Sequence, residues 1–284
     1  MVDYVKPVID MGKVSLKVNE LNTMVAFYEH KIGLDVLSKD ASSAILGVAE
    51  SGEELVELVQ LDRKAEKNSA SGFYHFAIVV PERSDLGNIL VRFIREQTPL
   101  TGASFHGYSE ALYLDDPEGN GIEIYRDLAV EDWDIREDGQ IAGVTTYMDT
   151  QGVVDSADLN NTSEKMPAGT VMGHVHLRVT ELEETEIFYK DIMDLDLKFS
   201  FGPQAMFFAN GTYHHQVAVN IWNSAGAQRP SGLDRGINFF EMKVADLNKF
   251  TNHLDEKDYD YSKISDEIVK VLDPNGITIH VLQK

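Results

Sequence analysis

Apolar residues along this chain follow two spacings that take turns. "MGKVSLKV" (11–18) alternates apolar and polar positions, the period of a half-buried strand. "VNELNTMVAFYEHKIGLDV" (18–36) then sets Leu21, Met24, Val25, Tyr28 and Ile32 at helical spacing. The same succession returns as "MGHVHLRV" (172–179) and "VTELEETEIFYKDIMDLDL" (179–197), where seven of nineteen positions match without a gap, Phe27-Tyr28 against Phe188-Tyr189 among them.

A second echo joins "LYLDDPEGNGIEIY" (112–125) to "VKVLDPNGITIHVL" (269–282). Each holds an Asp-Pro turn with Gly between two apolar runs, because Pro presets one backbone angle and Gly supplies positive φ. Upstream lie strand-like runs (75–80 and 238–244) and amphipathic stretches (Leu86, Ile89, Leu90, Phe93; Leu247, Phe250, Leu254). The pattern predicts an α+β protein of four βαβββ modules, at 10–62, 72–127, 171–224 and 235–283. The stretch 128–170 is polar, without a sustained period. It reads as a linker between an N-terminal domain (1–130) and a C-terminal domain (171–284), with 131–170 joining them and part of it packed on a domain. Consecutive modules are expected to pair, so that no sheet continues across 128–170.

Composition removes several chemistries. Lys and Arg number 25 against 47 Asp and Glu, a net charge of −22, which argues against nucleic acid or an anionic membrane as partner. The absence of cysteine excludes disulfides, thiolate metal sites and a cysteine nucleophile. "MVDYVKPVID" lacks the basic and apolar regions of a signal peptide, and no apolar run reaches the ~20 residues of a membrane helix, so a soluble cytoplasmic protein is expected.

The modular pattern, with "GFYHFAIVVPERSDL", "SEALYLDDPEGNGIEIYRD", "MGHVHLRV" and "GTYHHQVAVNIW", resembles the vicinal oxygen chelate superfamily of glyoxalase I, extradiol dioxygenases and bleomycin-resistance proteins. The two-domain catechol-2,3-dioxygenase-like members are the most similar. The resemblance implies paired modules forming a cupped sheet around a divalent metal, Fe(II) or Mn(II) in the dioxygenases and Zn(II) or Ni(II) as alternatives. It makes His75 and Glu123 metal ligands and places Glu57 near a further ligand position. His106 and Tyr113 become the catalytic pair, on a near match to the extradiol signature that departs at Ser104. Lys13 stands where relatives often carry His or Gln, and a protonated amine cannot coordinate.

Residue chemistry extends this picture. Alternation turns Glu123 away from Ile122 and Ile124, and a buried carboxylate needs a cation, either a metal or Lys13. Seven of nine histidines fall on inferred strands or beside them; His30 and His253 lie on helices and read as solvated. In the C-terminal half His174 and His176 share a face, and His215 is expected to join them while His214 turns away. Module four offers Phe239 and Thr278 at its ligand positions, so a displaced metal site is expected from His174 or His176, His215, and Glu241 or His280. The functional expectation is a metal-dependent enzyme most like an extradiol dioxygenase acting on a small molecule such as a catechol. Glyoxalase-type isomerisation with Glu57 or Glu123 as base, and metal-free small-molecule binding, are the alternatives.

Overall fold

The computed structural model describes residues 5–66, 71–161, 163–229 and 234–284; the first four residues of the N-terminal stretch read above lie outside this set. Module one runs β1 (Ile9–Val18), α1 (Leu21–Phe27), β2 (Asp35–Lys39), β3 (Ser43–Val48), β4 (Glu53–Gln60). Module two runs β5 (Gly72–Val79), α2 (Arg83–Arg95), β6 (Gly102–Phe105), β7 (Ser109–Asp115), β8 (Gly121–Asp127). A short strand β9 (Thr146–Tyr147) and helix α3 (Thr150–Asp155) follow. Module three is β10 (Val171–Arg178), α4 (Glu183–Ile187), β11 (Asp196–Phe201), β12 (Ala205–Ala209), β13 (Val217–Asn220). Module four is β14 (Gly236–Val244), α5 (Leu247–Glu256), β15 (Tyr261–Lys263), β16 (Ile268–Leu272), β17 (Thr278–Gln283). The four modules are those the periodicity predicts, and the two cupped sheets are those the resemblance implies.

The pairing of modules is not. One sheet has the order β15-β16-β17-β14-β1-β4-β3-β2 and the other β11-β12-β13-β10-β5-β8-β7-β6-β9. Module one therefore pairs with module four, and module two with module three. The joins are antiparallel between first strands, β1 with β14 and β10 with β5. This corrects the expectation that sheets would respect the 128–170 boundary. The physical reason is that alternation fixes which face of a first strand is apolar, not which of three similar strands takes its open edge. Nor is 128–170 a bare linker: β9 extends the second sheet by pairing with β6, and Ser156 Oγ donates to the carbonyl of Arg83 on α2.

The apolar faces of both sheets meet in one core. Val14, Leu16, Phe240 and Met242 come from the first sheet; Phe76, Ile78, Val175 and Leu177 come from the second. Both copies of the Phe-Tyr motif add to this join. α1 and α4 each widen into one π-helical turn, Tyr28–Ile32 and Phe188–Ile192. Tyr28 and Tyr189 are thereby fully buried, and their hydroxyls donate to Asp116 (2.9 Å) and Asp273 (3.5 Å) in the Asp-Pro turns of the opposite sheet. Among the described residues no helix is long and apolar enough to cross a membrane.

Candidate metal centre

The shared Met-Gly of the two first strands has a local role. In β10 the register slips between Met172 and His174, leaving Gly173 as the extra residue of a bulge. A side chain at Gly173 would collide with the Tyr125 hydroxyl, so only glycine fits. Beyond the bulge His174 and His176 face away from the core into the concave side of the sheet. β5 presents His75 and Ala77 to the same side, and β8 presents Glu123, whose neighbours Ile122 and Ile124 are in the core.

Register then brings three groups together. Ala77 is paired with His174 on one flank and Glu123 on the other. Its methyl is too small to separate them. His174 Nε2 lies 3.2 Å and His75 Nε2 3.1 Å from Glu123 Oε2. His75, Glu123 and His174 are all buried, and their ligand atoms lie within 4.8 Å of one another. Among the described residues His174 Nδ1 has no hydrogen-bond partner, and His75 Nε2 meets Glu123 without good hydrogen-bond alignment. Two imidazoles and one carboxylate, buried together, fit a divalent metal.

Electrostatics suit the same role. Burial pushes the Glu123 carboxyl up, but the adjacent His174 and His75 outweigh it and hold the group well below the usual carboxylate range. Burial lowers His174 to about 4 and outweighs the attraction of Glu123, so this ring is neutral at pH 7 and its lone pair is available. His176 is pushed well below its ordinary value by burial and then by His75 and His174; its Nε2 accepts from Asn220 Nδ2 at 2.9 Å.

These groups line a cavity of about 660 Å³. His106 and Tyr113 stand in its wall, with His106 Nε2 2.7 Å from the Tyr113 hydroxyl. The Val144 carbonyl lies 2.9 Å from His106 Nδ1, so the supposed linker orients this ring. Burial and the Glu123 charge push Tyr113 well above its usual value, leaving it a phenol and a donor. Tyr74, Phe199, Phe201, Phe207 and Trp222 make much of the remaining wall, and among the described residues no Lys or Arg lines it.

Other expectations are redrawn. The N-terminal and C-terminal sets are not separate sites: His75 and Glu123 join His174 because modules two and three share a sheet. Lys13, Glu57, Glu241 and His280 all lie in the other sheet. There Lys13 Nζ pairs with Glu54 at 2.7 Å and Glu241 at 3.7 Å, while His280 stacks on Phe239 at 3.9 Å. The displaced site that joined His215 to Glu241 or His280 is thus not formed. His215 lies ring to ring 4.1 Å from His174 but outside the three-ligand group. It sits in the loop before β13, where strand alternation does not govern direction, and its Nδ1 is engaged by His214. His214 stays out of the cavity wall, as expected. Val144 and Trp222 were not singled out from sequence, since an isolated residue in an aperiodic segment carries no positional signal.

A cupped sheet of paired βαβββ modules with a buried His-Glu-His group defines a class. The chain belongs to the glyoxalase/bleomycin resistance protein/dioxygenase superfamily, whose model matches residues 11–124 and 171–281. A catechol-2,3-dioxygenase of Bacillus subtilis (strain 168) is 36% identical over 235 residues, covering 79% of this chain and 80% of that protein. Among solved structures, a putative dioxygenase from Bacillus subtilis subsp. subtilis str. 168 superposes with a TM-score of 0.64 at 14% identity, covering 98% of this chain and 86% of that one. Glyoxalase I from Zea mays superposes at 0.58 and 16% identity, covering 97% and 92%. These two likenesses concern the fold.

Proposed function

We propose that this chain is a metal-dependent ring-cleavage dioxygenase acting on a neutral catechol. The observation that carries the reading is the meeting of His75, Glu123 and His174 at 3.1–3.2 Å inside an aromatic-walled cavity. The name of the Bacillus relative supports the reaction type. A divalent metal held by these three residues would supply Lewis acidity to two adjacent substrate oxygens and, as iron, redox chemistry with dioxygen.

The chain's own residues supply the rest. His215 and the His106–Tyr113 pair face the cavity and are placed to exchange protons and hydrogen bonds with substrate hydroxyls. Phe199, Phe207 and Trp222 bury an apolar substituent. The lack of Lys and Arg among the described residues of the wall disfavours a carboxylated one. The glyoxalase-type alternative loses one of its two candidate bases, because Glu57 lies on β4 of the other sheet.

The test is anaerobic purification, loading with Fe(II) or Mn(II), and oxygen-electrode assay with catechols bearing alkyl, aryl or carboxylate groups. Uptake of one dioxygen per catechol, with both atoms in an opened ring, is expected for neutral substrates. Isomerisation of a thiol hemiacetal without oxygen uptake, or failure to retain metal, would refute it.

A further inference from the structure

We infer that Asp127 and His214 are positioning residues whose hydrogen bonds fix the tautomer of His215 and leave its Nε2 lone pair for a bound substrate; the inference rests on the catalytic reading of the cavity. His214 and His215 are adjacent in the loop before β13, yet the two rings do different things. His215 forms part of the cavity wall, against His174 (4.1 Å) and Phe207 (5.0 Å). His214 is buried behind it, with the rings of Tyr108 and Tyr213 each 4.2 Å away.

A continuous chain of hydrogen bonds links them to β8. His215 Nδ1 is 2.8 Å from His214 Nδ1, and His214 Nε2 is 2.8 Å from Asp127 Oδ1. The other carboxylate oxygen of Asp127 accepts from the Tyr213 hydroxyl at 2.9 Å, and Tyr213 meets the Tyr125 hydroxyl at 2.8 Å. Asp127 is four residues beyond Glu123 on one strand, so the strand that supplies the carboxylate of the metal group also anchors this chain.

The direction of the chain follows from what each group can donate. An ionised carboxylate only accepts. A neutral His214 must therefore place its single N–H on Nε2, toward Asp127, and its Nδ1 becomes an acceptor. The proton in the 2.8 Å contact between the two Nδ1 atoms then belongs to His215. With Nδ1 protonated, the Nε2 of His215 is a lone pair, and it is the nitrogen left for whatever enters the cavity. The arrangement gives a substrate hydroxyl a base to donate to. An unanchored imidazole would be free to present an N–H instead. The logic matches that of buried carboxylates that set the tautomer of a catalytic imidazole.

The experiment is long-range nitrogen–proton NMR of the side-chain imidazoles in the metal-free protein at neutral pH, with His215 identified from the signals lost in His215→Gln. The Nδ1–H pattern is expected, and an Nε2–H pattern would overturn the inference. In Asp127→Asn the amide can donate to His214 Nε2 and reverse the chain, so His215 should shift toward Nε2–H. An unchanged pattern there would also overturn it. After loading with Fe(II), Asp127→Asn should lose about a hundredfold in kcat, with Mn(II) affinity unchanged. A loss of Mn(II) affinity matching that of His75→Ala would mean that Asp127 serves the metal group instead, against the inference. The expected wild-type and Asp127→Asn spectra in a protein that cleaves no catechol would support the chain and refute the ring-cleavage reading alone.

Discussion

Ala77 touches no metal, yet the architecture makes it a condition for binding one. It is fully buried between His174 and Glu123, whose side chains meet above its methyl at 3.2 Å. Ala77→Val adds two methyl groups at the point where these side chains approach, while suiting a strand and keeping the position apolar. Residues that orient ligands without coordinating typically cost about 10–100-fold in metal affinity when changed. At a metal concentration of about 100 times the wild-type Kd, bound metal stabilises the fold by about 2.7 kcal/mol; in the variant this drops to about 0.4–1.4 kcal/mol. For a chain of this size each kcal/mol moves Tm by roughly 2–4 °C. The metal-induced rise in Tm should shrink from roughly 5–11 °C in the wild type to roughly 1–6 °C in Ala77→Val. Differential scanning fluorimetry with and without Mn(II), backed by isothermal titration, reads both numbers. An undiminished rise would mean that Glu123 and His174 do not act together on one ion.

Three further outcomes are expected. Tyr28→Phe removes a 2.9 Å bond to a buried carboxylate and should cost about 1.5–3 kcal/mol in urea unfolding, whereas Tyr189→Phe, at 3.5 Å, should cost less than about 1 kcal/mol; equal losses would contradict the geometry. Lys13→Met strands the mostly buried Glu241 carboxylate and should destabilise by about 1–3 kcal/mol, with Mn(II) affinity intact because Lys13 belongs to the other sheet. Burial raises Asp273 to about 6, outweighing the hydrogen bonds it accepts, so the folded protein holds this proton more tightly than the unfolded chain. Its contribution is therefore present below pH 4 and declines by up to about 3 kcal/mol as pH rises to about 6, and Asp273→Asn should remove that slope from a series of unfolding midpoints.

How much of this was legible in the sequence depends on what kind of information each feature needs. Periods of 2 and 3.6 and the two Asp-Pro turns are local, and they predict the modules, the turn of Glu123 away from Ile122 and Ile124, and the shared face of His174 and His176; His75 follows from the family resemblance. The metal group needed a non-local fact, the partner of each first strand, and "MGKVSLKV" and "MGHVHLRV" are too alike in their apolar positions to encode it visibly. Dividing the chain into halves therefore separated His174 from Glu123. His215 was read as a strand residue and a ligand, but the ladder begins only at Val217, so its direction is set by His214 and Asp127. The π-helical turns were also hidden, since one extra residue in a turn leaves the spacing of Tyr28 and Ile32 compatible with an ordinary helix.

The joining of module one to module four has a consequence for the nascent chain. β1 leaves the ribosome well before its edge partner β14, which follows more than two hundred residues later, as the pairing of Val14 with Phe240 requires. At synthesis rates of about 5–20 residues per second, that edge waits roughly 10–45 s for its neighbour. Although β4 can cover its other side, an open strand edge bearing Val14, Leu16 and Val18 is a template for association with other chains. The central sheet, made of modules two and three, can close during that interval and bring His75, Glu123 and His174 together first. The residues of the metal group are thus all synthesised before the outer sheet can be completed, and the yield of folded protein should depend on how well the open edge of β1 is shielded in the meantime.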